Sequence, residues 1–311
     1  MKIAVLFAGQ GSQKVGMGKD FYEQNELFKK VVDEAELDFD VKQLMFEGPM
    51  EQLSQTRYTQ PCMAVFAAGV TKMLEAAGVK ADYVAGLSLG EYSALHAAGV
   101  FDTQTFIKLV AYRGKVMEEA AAGIECKMSA VMGLESSVLT EICNQVCSEN
   151  PENYVTVSNY NCTGQYVICG DKVAVELAET KAKEAGAKRC LPLKVSGPFH
   201  TKFMKPAGEA LDTYMNDVTF GDMKTPVIFN TTAKELGVDE NIKALLVKQV
   251  QSSIYMENTI QYLQAQGVDT VIEVGPGKAL SGFVKRTADG MITYTIEDVA
   301  GFEAALEALK A

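Results

Sequence analysis

In the stretch Asp82-Tyr83-Val84-Ala85-Gly86-Leu87-Ser88-Leu89-Gly90-Glu91-Tyr92-Ser93-Ala94-Leu95-His96-Ala97-Ala98-Gly99, a short apolar run gives way to a helical segment across one tight turn. Asp82 to Ala85 predicts a strand, and the segment through Ala98 predicts a helix closed by Gly99. Between them, Gly86 to Gly90 reads G-x-S-x-G, which at a strand-to-helix junction is the context of a nucleophile elbow. Glycines on both sides let the backbone reverse without Cβ clashes. The Ser88 hydroxyl is lifted clear, and the Leu89 N–H lies at the positive end of a helix. The alternative is an ordinary glycine-rich turn whose serine caps the helix.

Outward from this junction, residues 2 to 8 (KIAVLFA) predict a buried parallel strand ending at Gly9. Helical stretches follow around 20 to 37 and 60 to 78, and another from Phe106 to Ala122. Strand, turn and helix alternate, so the fold class is α/β with a parallel sheet. From Cys126 to Val195 the order becomes strand (126–134), helix (136–149), strand (154–162), strand (164–171), helix (172–186), strand (187–195). That is the βαββαβ order of a ferredoxin-like unit. Alternation then resumes with a strand at Val227 to Asn230, a helix near 240 to 253 and a strand at Thr270 to Val274. The expected organisation is an α/β subdomain of residues 1–125 and 196–311 with a ferredoxin-like subdomain, 126–195, inserted.

The chain has 311 residues, 48% of them hydrophobic, enough for a sizeable core without covalent staples. Seven cysteines, an odd number with no CxxC pair, and only two histidines argue for reduced thiols and against a metal site. The first apolar run is too short for a signal peptide, and no stretch approaches a membrane span. A net charge of −11 disfavours general binding to nucleic acid or anionic membrane. The expectation is a cytoplasmic monomer without metal or cofactor.

A catalytic serine needs a base, and only His96 and His200 exist. His96 lies eight residues beyond Ser88 on the same predicted helix, so the two are roughly 12 Å apart, beyond hydrogen-bond reach. It reads as a helix residue, packed or solvated, near the C-terminal end, where partial positive charge is favourable. His200 lies in Ser196-Gly197-Pro198-Phe199-His200, a loop able to reach Ser88.

The sequence resembles the malonyl-CoA:acyl-carrier-protein transacylases of fatty acid synthesis almost end to end. The resemblance rests on Phe7-Ala8-Gly9-Gln10-Gly11-Ser12-Gln13, Gly86 to Ala94, Arg113, Gly164-Gln165 with Val167 to Gly170, Gly197-Pro198-Phe199-His200, Gln249, and Glu273-Val274-Gly275-Pro276-Gly277. It implies a hydrolase-like α/β core with a ferredoxin-like insertion, and transfer of malonyl from malonyl-CoA to the pantetheine thiol of an acyl carrier protein. By the same resemblance Ser88 is the nucleophile and His200 its base, and the Gln249 main-chain carbonyl accepts from the histidine in place of a hydrolase's acid. Gln10 and Leu89 form the oxyanion hole, and Arg113 forks onto the malonyl carboxylate. Met117 and Phe199 wall the acyl group, with Asn159 and Asn161 nearby. The loop Gly9 to Gly18 is not a dinucleotide cradle, because Lys14 stands where a third glycine belongs. This chain departs from the family's pattern at Leu87, often histidine there, and at Ser253 to Met256.

Two other readings remain. A serine hydrolase would place an acid between the elbow and His200, with Asp171 the nearest candidate. A non-catalytic scaffold would keep the elbow as a relic. The carrier of this family is acidic, so docking to a chain of charge −11 needs a local basic field. Two groups present themselves, Lys188, Arg189, Lys194, Lys202 and Lys205, and Lys278, Lys285 and Arg286.

Overall fold

The structure, a computed structural model, describes residues 1–193 and 197–310. Strand β1 (Ile3–Phe7) leads into helices α1 (Lys19–Gln24), α2 (Glu26–Asp33), α3 (Val41–Glu47), α4 (Met50–Leu53) and α5 (Thr56–Ala76), then β2 (Tyr83–Gly86), α6 (Leu89–Ala97) and α7 (Thr103–Ala121). The middle of the chain is β3 (Cys126–Met132), α8 (Ser136–Glu149), β4 (Val155–Cys162), β5 (Gln165–Asp171), α9 (Lys172–Glu184) and β6 (Arg189–Pro192). The remainder is α10 (Lys205–Tyr214), α11 (Ile242–Val250), β7 (Ile254–Tyr255), α12 (Met256–Ala265), β8 (Thr270–Val274), α13 (Ala279–Thr287), β9 (Ile292–Ile296) and α14 (Val299–Lys310).

Two sheets result. The first runs β2-β1-β8-β9 and is parallel throughout. Its central strands are apolar on both faces: Ala4, Leu6, Val271 and Ile272 are buried, as a parallel sheet covered by helices requires. Helix α5 supplies much of the covering, with 16 buried residues. The second sheet runs β6-β3-β5-β4-β7. Its first four strands are antiparallel and, numbered within the βαββαβ unit, lie in the order 4-1-3-2 of a ferredoxin-like fold. Val131, Val157, Ile168, Leu139 and Val175 form its own core beneath α8 and α9.

Three expectations need correction. The helix expected over 20–37 is two helices, because Asn25 takes an extended conformation and its side chain accepts from the Leu27 and Phe28 N–H groups, starting α2 afresh. Val227 to Asn230 is not a strand. It makes only the isolated bridges Val84↔Val227 and Phe229↔Lys234, since the chain turns back at Ala233, where φ is 52°. The second sheet also recruits β7 from beyond the βαββαβ stretch, paired parallel to β4. Within the strand expected at 187–195, β6 occupies Arg189–Pro192. Lys194, Val195 and Ser196, and with them the expected boundary at 195/196, lie outside the described residues.

Candidate active site

The turn between β2 and α6 is tight enough to need its glycines. A Cβ on Gly86 would stand 2.1 Å from the Gly90 carbonyl carbon, and one on Gly90 would stand 2.2 Å from the Phe7 carbonyl oxygen. Ser88 between them has φ 56° and ψ −105°, a region costly for a side chain that the surroundings must hold in place. Leu89 is the first helical residue, so its N–H has no partner within the helix.

His200 also sits at positive φ, 59°, between β6 and α10. Its Nε2 is 2.8 Å from Ser88 Oγ, and its Nδ1 is 2.8 Å from the Gln249 main-chain oxygen. A carbonyl only accepts, so Nδ1 carries the proton and Nε2 is free to accept from the serine hydroxyl. Burial and the nearby Arg113 cation hold His200 down at about 4, well below an ordinary histidine, so the ring is neutral. Gln249, on the last turn of α11, contributes its side chain too: Nε2 donates to the Ser88 carbonyl at 2.8 Å.

Arg113 projects from α7 and is fully buried. Nη2 donates to Ser88 Oγ and to Gln249 Oε1, each at 3.0 Å, and Nη1 donates to Gln60 Oε1 at 2.7 Å. The guanidinium lies 5.1 Å from the centre of the Tyr92 ring, a cation–π contact. Burial lowers its pKa, opposed by Tyr92 and Glu91. Its acceptors are neutral, and among the described residues it makes no salt bridge. A buried cation without a carboxylate partner is costly unless an anion visits it.

These groups meet at the floor of a cavity of about 290 Å³. Gln10, Ser88 and His200 line it, and so do Met117, Phe199, Asn159 and Asn161. Of the other residues assigned to the site by the resemblance, Leu89 follows Ser88 directly, and Arg113 and Gln249 bond to Ser88 from behind the wall. The Gln10 side chain is engaged, donating to Thr56 Oγ1 at 3.0 Å. Asn159 Oδ1 accepts from Ser158, whereas the buried Asn161 Oδ1 has no partner.

His96 is elsewhere. It is buried, with Nδ1 2.9 Å from the Phe101 carbonyl and its ring stacked on Phe106 at 4.8 Å. Burial lowers its pKa, so it is a neutral core residue and not a charge at a helix end. Asp171 is also away from the site, accepting from the Tyr154 N–H at 2.6 Å. Sequence reasoning missed Gln60, Asn230 and Glu91. Glu91 was inside the quoted motif with no role attached, and Gln60 and Asn230 carry no motif signal. No group of metal-binding side chains occurs among the described residues, all seven cysteines are free, and no described helix is long and apolar enough to cross a membrane.

A strained serine, a neutral histidine on its hydroxyl and a main-chain acceptor behind the histidine, set on a parallel α/β sheet, define an acyl-transferring class, and the acyl transferase domain family matches residues 5–302. Within it, the chain belongs to the malonyl CoA-acyl carrier protein transacylases. It is 42% identical to that protein of Bacillus subtilis, covering 99% of this chain and 98% of the relative. The crystal structure of the transacylase from Clostridium perfringens superimposes with a TM-score of 0.94 at 38% identity, covering 100% and 98%. A malonyl-transacylase solved in complex with its type II PKS acyl-carrier protein gives 0.94 at 36% identity, covering 99% and 100%.

Proposed function

We propose that this chain moves a malonyl group from malonyl-CoA to the phosphopantetheine thiol of an acyl carrier protein through a malonyl-Ser88 ester, supplying fatty acid synthesis. The observation that carries the reading is the buried Arg113, which makes no salt bridge among the described residues and is hydrogen-bonded to the Ser88 hydroxyl. A dicarboxylic acyl group supplies the missing anion where the new ester forms.

In the first half-reaction His200 Nε2 takes the Ser88 proton as Oγ attacks the thioester carbonyl. The oxyanion is held by the Leu89 N–H and by Gln10. With the Gln10 side chain engaged by Thr56, its donation falls to the main-chain N–H. Collapse breaks the C–S bond, and His200 returns the proton to the departing thiolate of coenzyme A. In the second half-reaction His200 takes the proton of the carrier's thiol, whose sulfur attacks the ester, and returns it to Ser88 Oγ. Met117 and Phe199 wall the acyl group, and Asn159 and Asn161 line the approach. No step requires a metal or cofactor.

The partner assignment draws on the likeness to the transacylase solved with an acyl-carrier protein. The reading includes a cytoplasmic monomer that binds neither nucleic acid nor membrane, built as 1–125 with 196–311 around an inserted 126–195. A hydrolase reading is disfavoured because Asp171 is engaged with Tyr154 while the His200 imidazole faces a neutral carbonyl. A neutral acceptor stabilises imidazolium less than a carboxylate does. Intact-mass analysis after mixing with malonyl-CoA tests the proposal. One malonyl adduct on the parent and on Ser93→Ala, none on Ser88→Ala, and its discharge by a holo acyl carrier protein are expected. Label recovered from another residue, or discharge by water as fast as by the carrier, would overturn it.

A further inference from the structure

The Ser88 turn consists of three successive peptide planes, and each is gripped by a side chain distant in sequence. The Gly86 carbonyl accepts from Asn230 Nδ2 at 2.7 Å, and the Ser88 N–H donates to Asn230 Oδ1 at 2.8 Å. The third plane contains the Ser88 carbonyl and the Leu89 N–H. Its carbonyl accepts from Gln249 Nε2 at 2.8 Å. Because that peptide is planar and trans, fixing the Ser88 carbonyl fixes the direction of the Leu89 N–H.

Asn230 is itself held on both main-chain atoms. Its N–H donates to Glu91 Oε2, a carboxyl oxygen in the first turn of α6, and its carbonyl accepts from the Tyr255 N–H at 2.8 Å. Asn230 and Glu91 are each 1% exposed, and neither lines the cavity, so they do not contact substrate. A carboxyl buried this completely is costly, and burial pushes Glu91 up to about 8. Its Oε2 accepts from the residue that holds the turn, and its Oε1 has no partner.

We propose that Asn230, held from behind by Glu91, is a positioning residue for acyl transfer. It fixes the two peptide planes leading into Ser88, and so aims the hydroxyl at His200 and the Leu89 N–H at the oxyanion. An amide is needed because one side chain must accept from one peptide and donate to another at the same time. The inference rests on Ser88 being the acylated residue.

The test compares Asn230→Leu, Glu91→Ala and Glu91→Gln in the full chain, with turnover expressed per site labelled by a serine-directed fluorophosphonate. That normalisation removes misfolded protein from the comparison. Asn230→Leu is expected to lower kcat per labelled site by about 10²-fold in both half-reactions, the loss typical of a misaimed reacting group, while KM for malonyl-CoA stays within about threefold. Glu91→Ala should follow it. Glu91→Gln, which keeps an oxygen facing the Asn230 N–H, should recover most of the loss. Per-site turnover equal to the parent in either Asn230→Leu or Glu91→Ala would overturn the inference, even if melting temperature fell, since the residues would then serve folding alone. A parent chain whose label is not on Ser88 would instead overturn the proposed function beneath it.

Discussion

Arg113 Nη2 and Ser88 Oγ lie 3.0 Å apart, so one buried guanidinium reaches both the hydroxyl and, through its remaining donors, any acyl group attached there. The same nitrogen serves Gln249 Oε1. A carboxylate arriving on the acyl chain competes with these neutral acceptors and wins on charge.

Replacing this arginine therefore separates substrates. Arg113→Ala is expected to lower kcat/KM for malonyl-CoA by about 10²-fold or more, the scale for truncating one member of a buried charge pair. Acetyl-CoA, with no carboxylate to pair, should lose far less, so the ratio of the two narrows. Equal losses would make Arg113 structural.

The same cation governs pH. His200 is held at about 4, first by burial and then by Arg113, so it stays neutral as pH falls from 7 and is protonated only near that value. The rate of Ser88 labelling by an uncharged serine reagent should stay flat through the ordinary histidine range and fall on its acid side. Arg113→Ala removes a repelling charge, raises the histidine's pKa and moves the acid limb to higher pH. A limb at the ordinary histidine value, unmoved by the substitution, would contradict this.

Gln249 presents its main-chain oxygen to His200, which Gln249→Ala retains, and loses only the bonds to Ser88 and Arg113. Acylation should slow about tenfold, with the acid limb still present, as expected for a lost orienting contact and not a lost base. Asp171→Ala removes the acceptor for the Tyr154 N–H, costs about 1 kcal/mol of stability and leaves acylation unchanged. Thermal melts beside single-turnover kinetics distinguish the two. Inactivation by Asp171→Ala would revive a hydrolase-type triad.

Carrier docking can be tested by charge reversal. Lys278, Lys285 and Arg286 are exposed on or beside α13, the helix whose Ala279 and Phe283 line the cavity. In the other group, Lys202 and Lys205 follow His200 directly and Lys188 and Arg189 lie at β6, all exposed. Arg286 donates to Gln165 at 2.6 Å, and Lys205 pairs with Glu209 at 3.6 Å. Changing either group to glutamate should raise KM for the carrier and flatten its salt dependence, while acylation by malonyl-CoA is unaffected. Unchanged carrier kinetics at low salt for both would place docking elsewhere.

The strand, turn and helix around Ser88 and the βαββαβ order could be read from sequence because local patterning and turn chemistry encode them. Ser88 followed from the G-x-S-x-G motif, and His200 from there being only two histidines to choose between. Asn230 could not be found this way. It grips Gly86 and Ser88 across more than 140 positions, and nothing in Val227 to Asn230 distinguishes it from the end of a strand. Strand β7 was equally hidden, since two residues form a strand only where a partner is already in place.

That two-residue strand has a consequence for recombination between relatives. Asn159 and Tyr160 pair with Ile254 and Tyr255, which follow closely on Gln249 and its bond to His200. A chimaera that transplants only 126–195 would bring a foreign β4 edge against a resident β7, mismatching a seam that also sets the histidine's acceptor. The exchangeable module is thus discontinuous, and a functional graft must carry 249–256 along with the sheet.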